Sequence, residues 1–220
     1  MLFPSQFRGF HSKAQEYSSS GSYTFTPPAG VELFNIVLVG GGGGGGGVRS
    51  INYQYGGGGG GALSIVTCSI ASYLTIIVGA GGAINTTISE GISGEDSYIT
   101  DSSSNVILFS EGGEGGKERT ASSVALGGGT PGIRTISELA TDMGGGNGGD
   151  DNIEALPGIS KGGGFYGGGG SLGVGSQANM VGNFTAGQPG VKGGGGGAPG
   201  VSSTYGGAGG DGYCLITWVS

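Results

Sequence analysis

Apolar and polar positions alternate along several short stretches, and the alternation predicts β-strands. The strongest is VELFNIVLVG (31–40), apolar, rich in β-branched residues and bounded by turn formers. SYTFTPPAG (22–30) alternates and then turns at Pro27 and Pro28. ALSIVTCSI (62–70) and YLTIIVGAGG (73–82) read as a hairpin around Ala71 and Ser72. DSYIT (96–100) and NVILFS (105–110) read as a second hairpin, turning through 101–104. GYCLITWVS (212–220) supplies a last strand. Helical spacing occurs in PGIRTISELATDMG (131–144), through Ile133, Ile136, Leu139 and Ala140, with Pro near the start and Gly at the end. A loop is the alternative there.

The expected strands lie before residue 110, except for the last. That one needs a partner, and the available sheet is N-terminal. Residues 111–210 are therefore expected to be an excursion whose two ends return to one sheet, not a linker between two domains. The pattern predicts an all-β chain with little or no α-helix. Residues 21–220 form one domain, with strands mainly in 22–110 and 212–220. Residues 1–20 form a docking segment, with Phe3, Phe7 and Phe10 as candidate assembly contacts or as a cap on the chain's own core.

Glycine changes this picture. The chain has 59 glycines among 220 residues, against about 7% in an average protein. Strand 31–40 runs straight into eight of them, 40–47, and a second run occupies 56–61. Ordering a residue costs roughly 1–2 kcal/mol of backbone entropy, and glycine lies at the high end. The default for such runs is a flexible linker. Two features oppose it. The runs are nearly pure glycine, without the serine of a linker. The breaks between them are short and carry aromatics and turn formers. The ordered alternative is a bundle of polyproline-II-like helices, with three residues per turn and a rise of about 3.1 Å per residue. Without side chains, neighbouring rods come close enough to pair backbone N–H with C=O, as buried backbone requires. Further rods are expected at 112–116, 127–129, 144–149, 162–175, 193–197 and 206–210. Residues that interrupt the runs belong at the surface or in turns.

Composition narrows the function. Glycine does not recur strictly every third residue and there are only 7 prolines, which excludes collagen. Charged residues make up 10%, with a net charge of −7, and the eight Lys and Arg form no patch. Nucleic acid is therefore not an expected partner. No apolar run approaches about 18 residues, so no membrane insertion by helices is expected. MLFPSQFRGFHSKAQEYSSS does not read as a signal peptide, which implies synthesis in a cytoplasm. Cys68 and Cys214 both fall in apolar strand patterns. They read as buried free thiols, with one disulfide as the alternative.

YTFTPPAGVELFNIVLVGGGGGGG, GGGGGGALSIVTCSIASYLTIIVGAGG, NVILFSEGGEGG and GGAGGDGYCLITWVS together resemble the glycine-rich domain of bacteriophage tail and other virion proteins. Pro28–Gly30, Val78–Gly82 and Gly209–Gly212 match that family's landmarks in order. The resemblance covers residues 22–220. It implies a jelly-roll or TNF-like β-sandwich carrying an inserted bundle of polyglycine-II helices. The organisation is also similar to the glycine-rich part of some receptor tyrosine kinases and to the tail-fibre tip adhesins of T-even-like phages. Snow-flea antifreeze protein uses such a bundle as well, but this chain carries apolar strands and lacks its regular tripeptide repeats.

No catalytic constellation is visible, and no cofactor or metal is expected. His11 is alone. GGEGGKER (112–119) departs from a phosphate loop, with Glu118 where Ser or Thr is needed. GAGGAI (79–84) lacks the last glycine of a dinucleotide motif. Binding residues are expected in the breaks: Tyr53, Tyr55, Phe165, Tyr166, Phe184 and Tyr205, beside Asn147, Asp150 and Asp151. Rings and acceptors of this kind suit a saccharide; the alternative is that the rings pack over glycine rods and shield their ends. Asp150 and Asp151 as a cation site rest on one acidic pair alone. The resemblance implies a non-enzymatic virion component of a tail, fibre or capsid surface, trimeric by analogy, with other virion proteins as partners. A receptor-binding adhesin is the sharper alternative, with a host surface receptor as partner. An ice-binding protein is the distant one.

Overall fold

The computed structural model describes residues 11–47, 54–55, 57–119, 141–143, 149–152, 161–163, 187, 189–197 and 205–220. They contain no helix. Strands β1 (Ser12–Tyr17), β3 (Phe34–Val39), β5 (Leu63–Cys68), β10 (Thr141–Met143) and β13 (Tyr213–Val219) form a five-stranded antiparallel sheet, ordered β1-β13-β3-β5-β10. Strands β2 (Gly21–Phe25), β6 (Leu74–Val78), β7 (Ser97–Thr100) and β8 (Val106–Ser110) form a second, ordered β2-β6-β7-β8. Two short pairs stand apart: β4 (Gln54–Tyr55) with β9 (Glu118–Arg119), and β11 (Gly149–Asn152) with β12 (Lys161–Gly163).

The period of two in each strand explains the layering. Phe34, Ile36 and Leu38 of β3, with Val66, Cys214 and Ile216 beside them, bury one row. Phe25, Leu74, Ile76, Val78, Ile99 and Leu108 supply the opposite row. The two sheets pack as a β-sandwich around these rows, and Val39, Leu63 and Tyr213 form a second, smaller cluster with Val37 and Leu215. The last strand pairs with β3 along its length, Tyr213↔Val39 to Trp218↔Phe34. The excursion thus returns to the N-terminal sheet, as the alternation required.

Three expectations change. The hairpin of 62–70 with 73–82 does not form: β5 and β6 lie in different sheets. Each carries its own inward row, so placing them in opposite layers gives each row a facing wall. Ile70, buried at the crossing, closes that end of the core. The helix over 131–144 is contradicted at its end, where Thr141–Met143 is a strand on the edge of β5; residues 131–140 lie outside the described residues. Finally, Ser12–Tyr17 pairs with β13 across six positions, so the sheet reaches into the segment assigned to docking.

The glycines form rods that continue the strands. β3 runs into rod A (40–47), β6 into rod C (79–83) and β8 into rod E (111–116), all leading away from the sandwich. Rods B (57–62), D (91–95) and G (206–212) lead back into β5, β7 and β13. Rod F (193–197) arrives from the excursion. Rod A lies at the centre, and its amides donate in strict rotation. Gly40 and Gly43 donate to Ala62 and Gly59 of B. Gly41 and Gly44 donate to Glu95 and Ile92 of D, and Gly42 and Gly45 to Gly210 and Gly207 of G. All these bonds measure 2.8–3.0 Å. Its carbonyls accept in the same rhythm: Gly41 and Gly44 from Gly113 and Gly116 of E, Gly42 from Gly82 of C, Gly43 from Gly196 of F. A partner that recurs every third residue is the signature of a three-residue turn. Rod A is thus ringed by six rods: its amides from Gly40 to Gly45 donate to three antiparallel ones and its carbonyls from Gly41 to Gly44 accept from three parallel ones, while at its far end the Gly46 carbonyl accepts from Gly206 of G.

Glycine is needed here for its missing Cβ. The positive φ values among the described glycines fall at Gly21, Gly30 and Gly193, not along the rest of the rods. A Cβ on Gly40 or Gly43 would strike the carbonyls of Glu111 or Glu114, on Gly41 that of Ala80, and on Gly42 or Gly45 those of Gly194 or Gly197. Outer rods need glycine only on their inward faces. Rod E reads Glu111-Gly-Gly-Glu114-Gly-Gly before Lys117, and rod G continues Tyr205-Gly-Gly-Ala208-Gly-Gly-Asp211. Every third side chain there reaches the surface. The phosphate-loop and dinucleotide look-alikes are rods E and C. Rod D, with glycine only at 91 and 94, was not expected. The run 162–175 is contradicted at its start, where Gly162 and Gly163 belong to β12; residues 164–175, and the run 127–129, lie outside the described residues.

The parallel rods also carry outward amides, and acidic side chains of the neighbouring rods accept them. The Gly81 amide donates to Asp211 Oδ1 at 3.0 Å, Gly112 to Asp96 Oδ1 at 2.8 Å and Ala80 to Glu95 Oε2 at 3.3 Å. Asp211 Oδ2 accepts from the Ser20 amide at 2.9 Å. Where strands become rods, buried serines close the core: Ser97 Oγ donates to the Val39 carbonyl and accepts from the Gly79 amide, and Ser110 Oγ donates to the Leu38 carbonyl.

Two outcomes are expected. Gly43→Val should lower the unfolding free energy by at least the roughly 1–3 kcal/mol of an overpacked core, whereas Ala83→Val, on an exposed position of rod C, should stay within about 0.5 kcal/mol; denaturant midpoints compare them. Asp211→Ala strips the acceptor from two amides and should cost about 1–3 kcal/mol, with Asp211→Asn recovering part of it.

Candidate functional site

The bundle has two unlike ends. At the sandwich end, the amides and carbonyls of His11 and Ser220 pair with each other, so both ends of the described chain lie together. At the far end the chain leaves rod A at Gly47 and returns at Gln54, leaves rod C at Ala83 and returns on rod D, and leaves rod F at Gly197 to return at Tyr205. Connections between rods are free of the sheet there, and the candidate site is this far end.

The 84–90 connection is its best-defined part. Asn85 Oδ1 accepts from the Thr87 amide at 3.0 Å and from Thr87 Oγ1 at 2.7 Å. Its Nδ2 donates to Ser89 Oγ at 2.6 Å and to the Glu90 carbonyl at 2.7 Å. The Ser89 carbonyl in turn takes the Gly47 amide at 2.9 Å, fastening the loop to the end of rod A. Ile84, Ile88 and Ile92 are left exposed on this side. Lys117 Nζ lies 3.5 Å from Glu90 and 3.8 Å from Glu114. These pairs are exposed and worth at most about 1 kcal/mol each; they order the surface more than they stabilise it.

Of the expected binding residues, Tyr205 stands at the start of rod G, 37% exposed. Tyr55 is a correction. It is 1% exposed, and its side chain lies where a Cβ on Gly46 would be, so it covers the end of rod A. A flat ring over a side-chain-free rod excludes water where no glycine side chain can. Asp150 and Asp151 fall in β11, which lies against β4 at the far end. Tyr53, Asn147, Phe165, Tyr166 and Phe184 lie outside the described residues, as do Phe3, Phe7 and Phe10. Asn85 and the three isoleucines were missed. Their signal was the spacing of Gly91 and Gly94, which marks a rod and makes 84–90 an inter-rod loop. Among the described residues no three His, Cys, Asp or Glu side chains gather to hold a metal ion.

A glycine-rich domain family matches residues 18–219. The chain belongs to the glycine-rich domain family. No curated protein matches it significantly.

Within this glycine-rich domain both cysteines are free thiols. Cys214 faces the core of the sandwich, and burial pushes its thiol up to about 12. Burial also raises Cys68, which is less enclosed. At pH 8, dithionitrobenzoate should therefore leave Cys214 unmodified in the native protein and titrate both thiols in denaturant. The folded form keeps the Cys214 proton that the unfolded chain loses above about 9. Stability should hold below that pH and fall between about 9 and about 12, and Cys214→Ala should flatten that decline.

Proposed function

We propose that the protein is a non-enzymatic structural component of a virion, part of a tail, fibre or capsid surface, assembled as a homo-oligomer of three chains with other virion proteins around it. The observation that carries this reading is the polarity of the fold: both ends of the described chain meet at the sandwich, and the inter-rod connections project from the opposite end of a hydrogen-bonded bundle. That arrangement suits a module fixed at its base and held out from a particle. Membership of the glycine-rich domain family and the likeness of its landmarks to tail proteins support the same reading. The protein inventory of particles purified from a virus encoding the chain should contain it; particles complete without it overturn the proposal.

A receptor-binding adhesin is the second reading, favoured by the half-exposed ring of Tyr205 at the projecting end. The recombinant protein should then compete with particles for attachment to host cells. Tyr205→Ala should weaken cell binding by about tenfold, the scale of an aromatic interface anchor, with an unchanged melting temperature. Equal competition by the variant and the parent counts against Tyr205 as a contact.

A further inference from the structure

The two sheets of the sandwich end in four edge strands, β1 and β10 in one and β2 and β8 in the other. Folded proteins blunt such edges, because a row of unpaired N–H and C=O groups is a template for another chain. β10 is only three residues long. β8 pairs with β7 through a register shift. β2 opens on Gly21 at a φ of 149°, and Pro27 and Pro28 follow just past its end. β1 has none of these devices. It runs for six residues without proline or glycine, five of them exposed, and keeps one register with β13 throughout. Antiparallel pairs alternate between hydrogen-bonded and non-hydrogen-bonded ones. His11 and Ser220 exchange both their bonds, at 3.2 and 3.1 Å. Residues 13, 15 and 17 therefore bond to β13 as well, and Ser12, Ala14 and Glu16 turn their amides and carbonyls outward. No strand lies on that side among the described residues.

We propose that the outer edge of β1 pairs with the same edge of a second copy, antiparallel about a two-fold axis at Ala14. Ala14 then lies opposite the partner's Ala14, Ser12 opposite the partner's Glu16, and Glu16 opposite the partner's Ser12. Every outward amide and carbonyl of the three residues finds a partner, and the two five-stranded sheets become one continuous sheet. Charge and length select this register. Opposed residues of an antiparallel pair share a face, so a two-fold axis passes through a residue. At Lys13 it would set lysine against lysine, and at Glu16 glutamate against glutamate. At Gln15 it would place Ser12 opposite Ser18, beyond the end of the strand. The axis at Ala14 opposes no like charges and has the smallest side chain of the strand at its centre. Lys192 Nζ, 3.1 Å from Glu16 Oε1, holds that carboxylate at the edge where the partner's Ser12 would lie. This two-fold contact is independent of the virion role proposed above and of any three-fold contact.

Two variants of the full chain test the pairing. Ala14→Pro removes an outward amide that β13 does not use, a change that edge strands tolerate. Ala14→Glu keeps the amide and sets like charges on the axis. Circular dichroism reports that each variant is folded. In sedimentation equilibrium at micromolar concentration the parent should show about twice the mass of either variant. Equal masses for the parent and Ala14→Glu overturn the proposal, and that variant serves alone if the proline disturbs the strand. Cross-linking reads the register. Positions 13 and 15 of the two copies face each other as a non-hydrogen-bonded pair, about 4.5 Å apart at Cα and within reach of a disulfide. A mixture of Lys13→Cys and Gln15→Cys should therefore form at least about tenfold more disulfide-linked dimer than either variant alone, with the parent as the control for Cys68. No enrichment in the mixture overturns the proposed register.

Discussion

The hydrogen bonds of rod A govern the rest of the molecule. Each amide from Gly40 to Gly45 is used once, in rotation, on three neighbouring rods. This works only if rods pack closely enough for N–H to meet C=O with no Cβ between them. The spacing explains the pure glycine of the central run, and the period of three explains why outer rods tolerate a side chain at every third position. A sheet pairs each strand on two sides in a plane. Here one rod pairs on six, so backbone hydrogen bonding does in three dimensions what apolar side chains do in an ordinary core.

The bundle is not separate from the sandwich. Six of its rods are uninterrupted continuations of β3, β5, β6, β7, β8 and β13. The apolar core fixes the spacing and direction of these strands, and the rods inherit both. Ordering glycine is entropically expensive, and a bundle with no side chains to bury benefits from having each rod anchored at one end by a packed strand. The buried Ser97 and Ser110 mark the plane where side-chain packing gives way to backbone pairing, satisfying carbonyls that neither system would reach. The acidic balance of the chain finds a partial role as well, since Asp96, Glu95 and Asp211 accept the outward amides of the parallel rods.

Because strands end in rods, the connections gather at the two ends. The far end carries short connections held by local bonds, such as the Asn85 network, and the base carries the joined ends of the described chain.

The amino-acid sequence by itself determined the all-β class, the position of the strong strands, the return of the last strand to the N-terminal sheet and the ordered character of 40–47. Each rests on local information: alternation, β-branching and the purity of a glycine run. Only the tertiary structure decided which sheet each strand joins. ALSIVTCSI and YLTIIVGAGG carry similar apolar rows, and nothing local says that they face each other across a core instead of pairing side by side. Tertiary packing also decided which breaks between glycine runs are surface. Tyr55 and Tyr205 look alike in sequence, yet one covers the end of rod A and the other stands partly in water. Rod D was hidden because GISGE has glycine only where it touches its neighbours, a requirement set by rods distant in sequence. Hydrophobic period reports what one segment buries; which neighbour lies close enough to forbid a Cβ is a property of the whole lattice.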